Sequence, residues 1–302
     1  MKKFLPAIIA GILLVAANVA LIFLAPDWVR ETRQVQLHGE VIHEATSAFA
    51  HLRVREKGSV RSLMFVESDG TELMQSRIDL EKPEHLELRY SRAMFVSFLF
   101  RPNQQRVLIV GLGGGGMVRF LNAAMPETRV DAVEIDPAVV SAAAEFFGTE
   151  NGPRTTIHTA DAFEYLGDPA GPKYDVIYMD AFLRPPVEEG AAELVEKAQR
   201  LKTAAFLEQI RARLVKEPGG LVAFNLIERE PSTPDDLAAI RSVFPSVYEF
   251  PVAQTGNLVV IASTEAERVS AEELGKRAAE LEAETEWARE IELRKVVAGL
   301  RE

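Results

Sequence analysis

Hydrophobic and polar positions divide the chain into stretches of different period. Residues 4–26 are uncharged and predominantly apolar behind Lys2 and Lys3, and the run matches the ~20 residues needed to cross a bilayer. A cleaved signal peptide has a shorter apolar core and a small-x-small site, which Phe23-Leu24-Ala25 does not supply. An uncleaved, single-pass transmembrane anchor over 1–27 is expected, as in a bacterial inner membrane, with cleavage as the alternative. Its sidedness stays open. Lys2 and Lys3 favour a cytoplasmic N-terminus, and Arg30 and Arg33 on the other flank nearly balance them. Residues 28–40 are polar and read as a linker.

Residues 41–82 change to short extended segments over 49–55, 62–66 and 72–75, punctuated by Lys57-Gly58 and Asp69-Gly70. That is the pattern of a small antiparallel β unit. Over 83–100, Leu86, Tyr90, Met94 and Phe98 share one stripe and predict a helix, broken by Arg101-Pro102-Asn103. From residue 106 strands and helices alternate. Strands are expected at 106–110, 129–134, 155–158, 174–179 and 221–226, with helices at 117–125, 137–147, 202–215 and from Thr233. Segments 247–250 and 258–262 flank Gln254-Thr255-Gly256-Asn257 and read as an antiparallel hairpin. The fold class is α/β. A doubly wound Rossmann-like sheet over 83–264 ends in an antiparallel hairpin and follows the small β unit and the N-terminal transmembrane helix. Residues 265–302, rich in Glu, Ala, Leu and Arg, predict one long amphipathic helix, with Leu274, Leu281 and Ala288 in sevenfold spacing. It would pack on the domain or pair with another chain as a homodimer; the repeat is too short and impure for a coiled coil.

Composition narrows the chemistry. The 302 residues carry a net charge of −11, which argues against a nucleic-acid partner. Without Cys there is no thiolate nucleophile and no Cys-ligated zinc, and the five His residues show no metal-ligand spacing, so no metal site is expected. No G-x-S-x-G elbow supports a serine hydrolase.

The informative stretch is 106–136, RVLIVGLGGGGMVRFLNAAMPETRVDAVEID. A strand runs into Gly111, Gly113, Gly114, Gly115 and Gly116, then a helix, then a strand ending at Glu134. Backbone without side chains approaches a ligand closely, and free N–H groups at a helix start offer hydrogen bonds. A carboxylate at the next strand's tip accepts from ribose hydroxyls. Glu134 stands 23 residues after Gly111, near the ~20 of nucleotide-binding βαβ units. Two further strands end in acid, at Asp161 and Asp180. Asp161 could accept from an adenine amino group, and Asp180 would face the reacting end, where a carboxylate orients or deprotonates an amine.

The segments VGLGGGGMVRF, DAVEIDPAVV, HTADAFEYL and KYDVIYMDAF resemble the spermidine-synthase-like family, the polyamine aminopropyltransferase-like branch of class I S-adenosylmethionine-dependent transferases. The resemblance covers about 41–262. It implies that the glycine loop, Glu134 and Asp161, with their neighbours Ile135 and Ala162, bind the adenosyl donor. It makes Asp180 the catalytic acid-base with Tyr90 beside it, and lays Gln75 and Tyr90 over donor and acceptor. The departures concern the acceptor site. Where the family resembles G-G-G-D-G-G, the acid's place is Gly114, so discrimination against the donor's carboxylate is lost and S-adenosylmethionine, rather than only its decarboxylated form, should be tolerated. The family's D-S-S-D-P is Asp180-Ala181-Phe182-Leu183-Arg184, with Leu183 where an acid would grip a diamine. The family's Tyr-His-Glu is Tyr90-Ser91-Arg92, so the rim loses acids and gains Arg92 and Arg184. The loop, the donor acids and the segment FLEQIRARL also resemble the spermidine-synthase-like half of eukaryotic elongation-factor lysine methyltransferases. The leading expectation is a membrane-anchored transferase moving a methyl group to a small-molecule amine or a protein side chain. Aminopropyl transfer with a rebuilt acceptor pocket comes second, and a non-catalytic nucleoside-binding module third.

Overall fold

The computed structural model describes residues 27–181 and 203–301. The expected anchor over 1–27 lies, but for Asp27, outside the described residues, as do Leu183 and Arg184. Among the described residues no helix is long and apolar enough to cross a membrane.

The chain begins with helix α1 (Asp27–His38), followed by β1 (Glu40–Thr46), β2 (His51–Lys57), β3 (Val60–Val66) and β4 (Glu72–Asp79). The four strands form one antiparallel sheet in sequence order. The expected linker over 28–40 is therefore mostly helix. Its docking is electrostatic: Arg55 on β2, with no exposed surface, donates to Glu31 on α1 at 2.8 Å, to Glu72 on β4 at 2.7 Å and to the Gly39 carbonyl at 2.9 Å. A helix held by a buried guanidinium shows no apolar stripe in its sequence. On the sheet's other face Leu52, Val54, Leu63 and Ile78 pack against Val139, Ala142 and Phe147 of the larger domain.

The helix expected over 83–100 starts only at Arg89. Residues 80–88 turn repeatedly, and α2 (Arg89–Met94) then leads into a 3-10 segment (Phe95–Leu99). Leu86 is buried by a turn, not by helical phase: the Arg92 Nε–H donates to its carbonyl and the Ser91 hydroxyl to that of Leu88.

The larger domain alternates β5 (Arg106–Val110), α3 (Gly116–Ala124), β6 (Arg129–Glu134), α4 (Pro137–Phe147), β7 (Thr155–Thr159), α5 (Ala162–Gly167), β8 (Val176–Met179), α6 (Ala204–Ala212), β9 (Leu221–Ile227), α7 (Thr233–Val243), β10 (Ser246–Pro251) and β11 (Asn257–Ser263). The sheet order is β10-β11-β9-β8-β5-β6-β7; β11 runs antiparallel to both its neighbours and the other pairs are parallel. The strands are buried on both sides. Val107 and Ile109 face one core with Phe95 and Phe120, while Leu108 and Val110 face a second with Phe206 and Ile210. The chain moves outward from β5 to β7, then returns to place β8 on the other flank of β5. That reversal opens a crevice beyond the carboxyl ends of β5 and β8, where open α/β sheets bind ligands.

The C-terminal region is not one long helix. It breaks into α8 (Ala271–Glu284), α9 (Glu286–Glu290) and α10 (Leu293–Val297), with Thr285 extended and Glu292 left-handed at φ 58. The fold-back is pinned by Glu282, which is buried and accepts from the Arg294 backbone N–H at 2.8 Å and from its guanidinium. Trp287 packs on Phe98 and Phe120 at centroid distances of 4.9 and 5.8 Å. The apolar positions thus cover their own domain.

Candidate active site

Gly111 carries the chain off the end of β5 with φ +92, and a Cβ there would lie 2.4 Å from the Asp180 carbonyl oxygen. Only glycine lets the β5 and β8 exits run this close. Gly115, left-handed at φ +73, caps α3 without a side chain, so the first N–H groups of that helix receive no side-chain cap. Dipole and free donors together favour a polar or anionic ligand group at this point.

Glu134 ends β6 beneath the loop. Its two carboxylate oxygens accept from the Leu112 backbone N–H at 2.9 Å and the Asp136 N–H at 3.0 Å. A carboxylate has about four acceptor positions, so positions remain for ribose hydroxyls. Burial raises its pKa, and the backbone hydrogen bonds pull it down. Asp136 caps α4 through the Ala138 N–H and accepts from the Ser47 hydroxyl at 2.6 Å, which ties the small sheet to the site.

Asp180 follows β8, with its backbone N–H on the Val110 carbonyl at 2.9 Å. One carboxylate oxygen accepts from Asn225 Nδ2 at 2.8 Å and the other from the Tyr90 hydroxyl at 3.2 Å. Burial pushes the Asp180 carboxyl up to about 7, while the two hydrogen bonds oppose the shift. Burial and the neighbouring carboxylate hold the Tyr90 phenol well above its ordinary value, so it stays protonated and donates.

Two cavities meet at Tyr90, and Asp180 lines the first of them. One is walled by Gly111, Gly113, Gly115, Glu134, Asp180 and the 85–88 turn. The other is walled by Leu73, Met74, Arg89, Asn225, Ile227 and Asn257. Gln75, Leu88 and Tyr90 face both. A bulge in β4 between its pairings to Leu63 and Met64 leaves Gln75 outside the ladder; such bulges re-aim side chains beside sites.

Gln75, Gly111, Gly113, Gly115, Glu134, Tyr90 and Asp180 are thus brought together. Gly114 is not. Its open side is taken by the Phe147 ring, 2.7 Å from where a Cβ would stand, and it does not line the cavity. Ile135, Asp161 and Ala162 also lie off the enclosed cavity. They sit on the adjoining rim, where the Ala160 N–H donates to the Glu134 carbonyl at 2.9 Å, and Asp161 caps α5 through the Phe163 N–H at 2.8 Å. Arg92, expected to add charge to the rim, is occupied with the Leu86 carbonyl and the His85 ring.

Sequence reasoning missed Asn225, Asn257 and Arg119. The Arg119 guanidinium gathers the carbonyls of Pro83, Gly114 and Phe147, fastening the glycine loop to the turn that roofs the cavity. Desolvation lowers its pKa to about 10. Asn225 had a signal: it is the polar residue within the apolar run LVAFNLI, and a buried amide there requires partners.

The chain is similar to known proteins of two activities. Residues 87–206 match the spermine/spermidine synthase domain. A polyamine aminopropyltransferase of Vibrio vulnificus is 32% identical over 225 residues, 74% of this chain and 71% of that protein. The human eEF1A lysine and N-terminal methyltransferase is 34% identical over 151 residues, 47% of this chain but 20% of that protein. The crystal structure of human methyltransferase-like protein 13 in complex with SAH superposes with a TM-score of 0.56 at 25% identity, covering 71% of this chain and 95% of that one.

Proposed function

The chain belongs to the spermine/spermidine synthase family, and we propose that its reaction is methyl transfer from S-adenosylmethionine to an amine, on a small molecule or a protein side chain. Relatives of both kinds, an aminopropyltransferase and a protein methyltransferase, support an enzyme that moves an alkyl group from an S-adenosylmethionine-type donor. The observation that carries the choice between them is the cavity beyond Tyr90. Among the described residues its walls hold Gln75, Asn225, Thr255, Asn257 and the exposed Arg89 beside apolar side chains, and no carboxylate. A polyamine brings two or more ammonium groups, each costly to desolvate without an acidic partner. The carboxylates of Asp180 and Glu87 line the adjoining donor-side cavity, not this one.

On the donor side, position 114 is glycine where the resemblance expects an acid, so none stands there to select a decarboxylated donor. Glu134 and the side-chain-free start of α3 would hold the donor's ribose and polar tail. When bound, the donor supplies a carbon on sulfonium, open to in-line displacement. The protein's part is alignment and proton removal. With a pKa of about 7, Asp180 is poised to take the proton from an incoming ammonium at neutral pH, and Tyr90 holds the receiving carboxylate in place.

Calorimetry on the full chain with S-adenosylmethionine and with its decarboxylated form tests this. S-adenosylmethionine is expected to bind at least as tightly; a strong preference for the decarboxylated donor would reverse the assignment. Aminopropyl transfer remains the second reading, favoured by the extent of the Vibrio relative, and release of 5′-methylthioadenosine in place of the demethylated donor would identify it. We further propose that residues 4–26 tether the domain to a membrane; a reporter fused after Glu302 reads the side, and recovery of the whole chain in the soluble fraction would exclude the tether.

A further inference from the structure

Asp180 is held by more than its direct partners. Strands β9 and β11 make Asn225 and Asn257 diagonal neighbours on one sheet face, since Asn225 lies opposite Val259 and Asn257 opposite Ile227. Both are buried, at 5% and 9% exposure, Asn225 within the otherwise apolar β9 and Asn257 at the start of the mostly apolar β11. Asn225 Nδ2 donates to Asp180 at 2.8 Å, and its side-chain oxygen accepts from Asn257 Nδ2 at 2.9 Å. The Asn257 backbone N–H is fixed in turn by the Thr255 hydroxyl at 3.1 Å.

With Asp180 ionised, the polarity of this chain has a single solution. An ionised carboxylate only accepts, so Asn225 must turn its NH2 toward Asp180. Its carbonyl then faces Asn257, which must present NH2. One negative charge therefore orders two amides, and two ordered amides hold one carboxylate oxygen in place. Without them, among the described residues, only the longer hydrogen bond from Tyr90 restrains the Asp180 side chain.

We infer that Asn225 and Asn257 are positioning residues for the proposed transfer, a two-amide relay that fixes the Asp180 carboxylate and favours its ionised, proton-accepting form. This rests on Asp180 being the proton acceptor of that reaction. Asn225 and Asn257 also wall the cavity beyond Tyr90, so an amine that passes Tyr90 toward the Asp180 side would meet a carboxylate already oriented.

The test is an infrared difference titration of the full chain labelled at its Asp carboxyl carbons, a readout that needs neither donor nor acceptor. The protonated-carboxyl band absent from Asp180→Asn belongs to Asp180. Asn225→Leu, of similar volume but with no donor, is expected to raise its midpoint by about one pH unit or more, the scale of one hydrogen bond to a charged group. Asn257→Leu, which touches no carboxylate, should raise it by less. In the double variant the shift should equal that of Asn225→Leu alone, because Asn257 acts only through Asn225; independent actions would add. Ser97→Ala, in the buried Tyr178 network, should leave the midpoint in place. Thermal melts check that each variant folds. A midpoint unmoved by Asn257→Leu, additive shifts in the double variant, an equal shift with Ser97→Ala, or no band assignable to Asp180 would each overturn the relay. Absence of methyl transfer by the native protein, with the titrations behaving as described, would instead sink the functional reading alone.

Discussion

Replacing Asp180 by Asn separates the cost of keeping a charge at the site from the chemistry that charge performs. The fold raises this carboxyl from 3.8 to about 7, chiefly by burial. Below about pH 4 folded and unfolded chains are both protonated here, and the group adds no pH dependence. Between about pH 4 and 7 the folded chain keeps a proton that the unfolded chain has released, so native stability falls as pH rises. Above about pH 7 both states are ionised and the full cost stands. A shift of about three units at ~1.4 kcal/mol each gives about 4 kcal/mol. That is an upper bound, because the carboxylate opens onto the cavity and water screens it. The replacing amide cannot ionise, yet it keeps an acceptor for Asn225 and a polar group for Tyr90. Asp180→Asn should therefore exceed the native protein in stability near pH 8.5 by up to that amount, several degrees in Tm at roughly 2–4 °C per kcal/mol, with the gain gone near pH 4. Paired thermal melts at the two pH values measure it. An equal gain at both would refute the buried-charge reasoning. The same variant should bind S-adenosylmethionine with nearly unchanged affinity and show no turnover; lost donor affinity would move Asp180 into the donor site.

Glu134→Ala is expected to weaken donor binding by ~1.5–3 kcal/mol, the loss typical of hydrogen bonds to a charged group, read as the Kd in calorimetry; an unchanged constant removes Glu134 from the site. Gly114→Ala drives a methyl into the Phe147 ring, 2.7 Å away, and should cost about 1–3 kcal/mol in denaturant unfolding. In a Phe147→Ala background that cost should shrink, and strict additivity would reject the contact.

The alternation of strand and helix from residue 106, the glycine bend and the acid at its following strand were legible because each is a local signal. Apolar runs at β5 and β8, glycines at positive φ, and a carboxylate at a strand end are written within a few residues of one another. The small β unit was legible for the same reason, from Gly58 and Gly70 at its turns. Three segments were read wrongly where a polar contact, and not the period of apolar residues, set the local structure. The helix Asp27–His38 is held by Arg55, the turn before Arg89 by Arg92, and the C-terminal fold-back by a carboxylate, Glu282, that pairs with Arg294.

The sequence by itself determined the kind of sheet and its binding edge, since side-chain period and turn chemistry act between near neighbours. Only the tertiary structure decided which side chains meet there. It turned Gly114 toward Phe147 and set Asp161 on the rim as a helix cap. It joined Tyr90, Asp180, Asn225 and Asn257, drawn from four separate segments, into one hydrogen-bonded chain. The reason is physical: a buried polar group must find its partner in space, and distance along the chain carries no record of which partner that is.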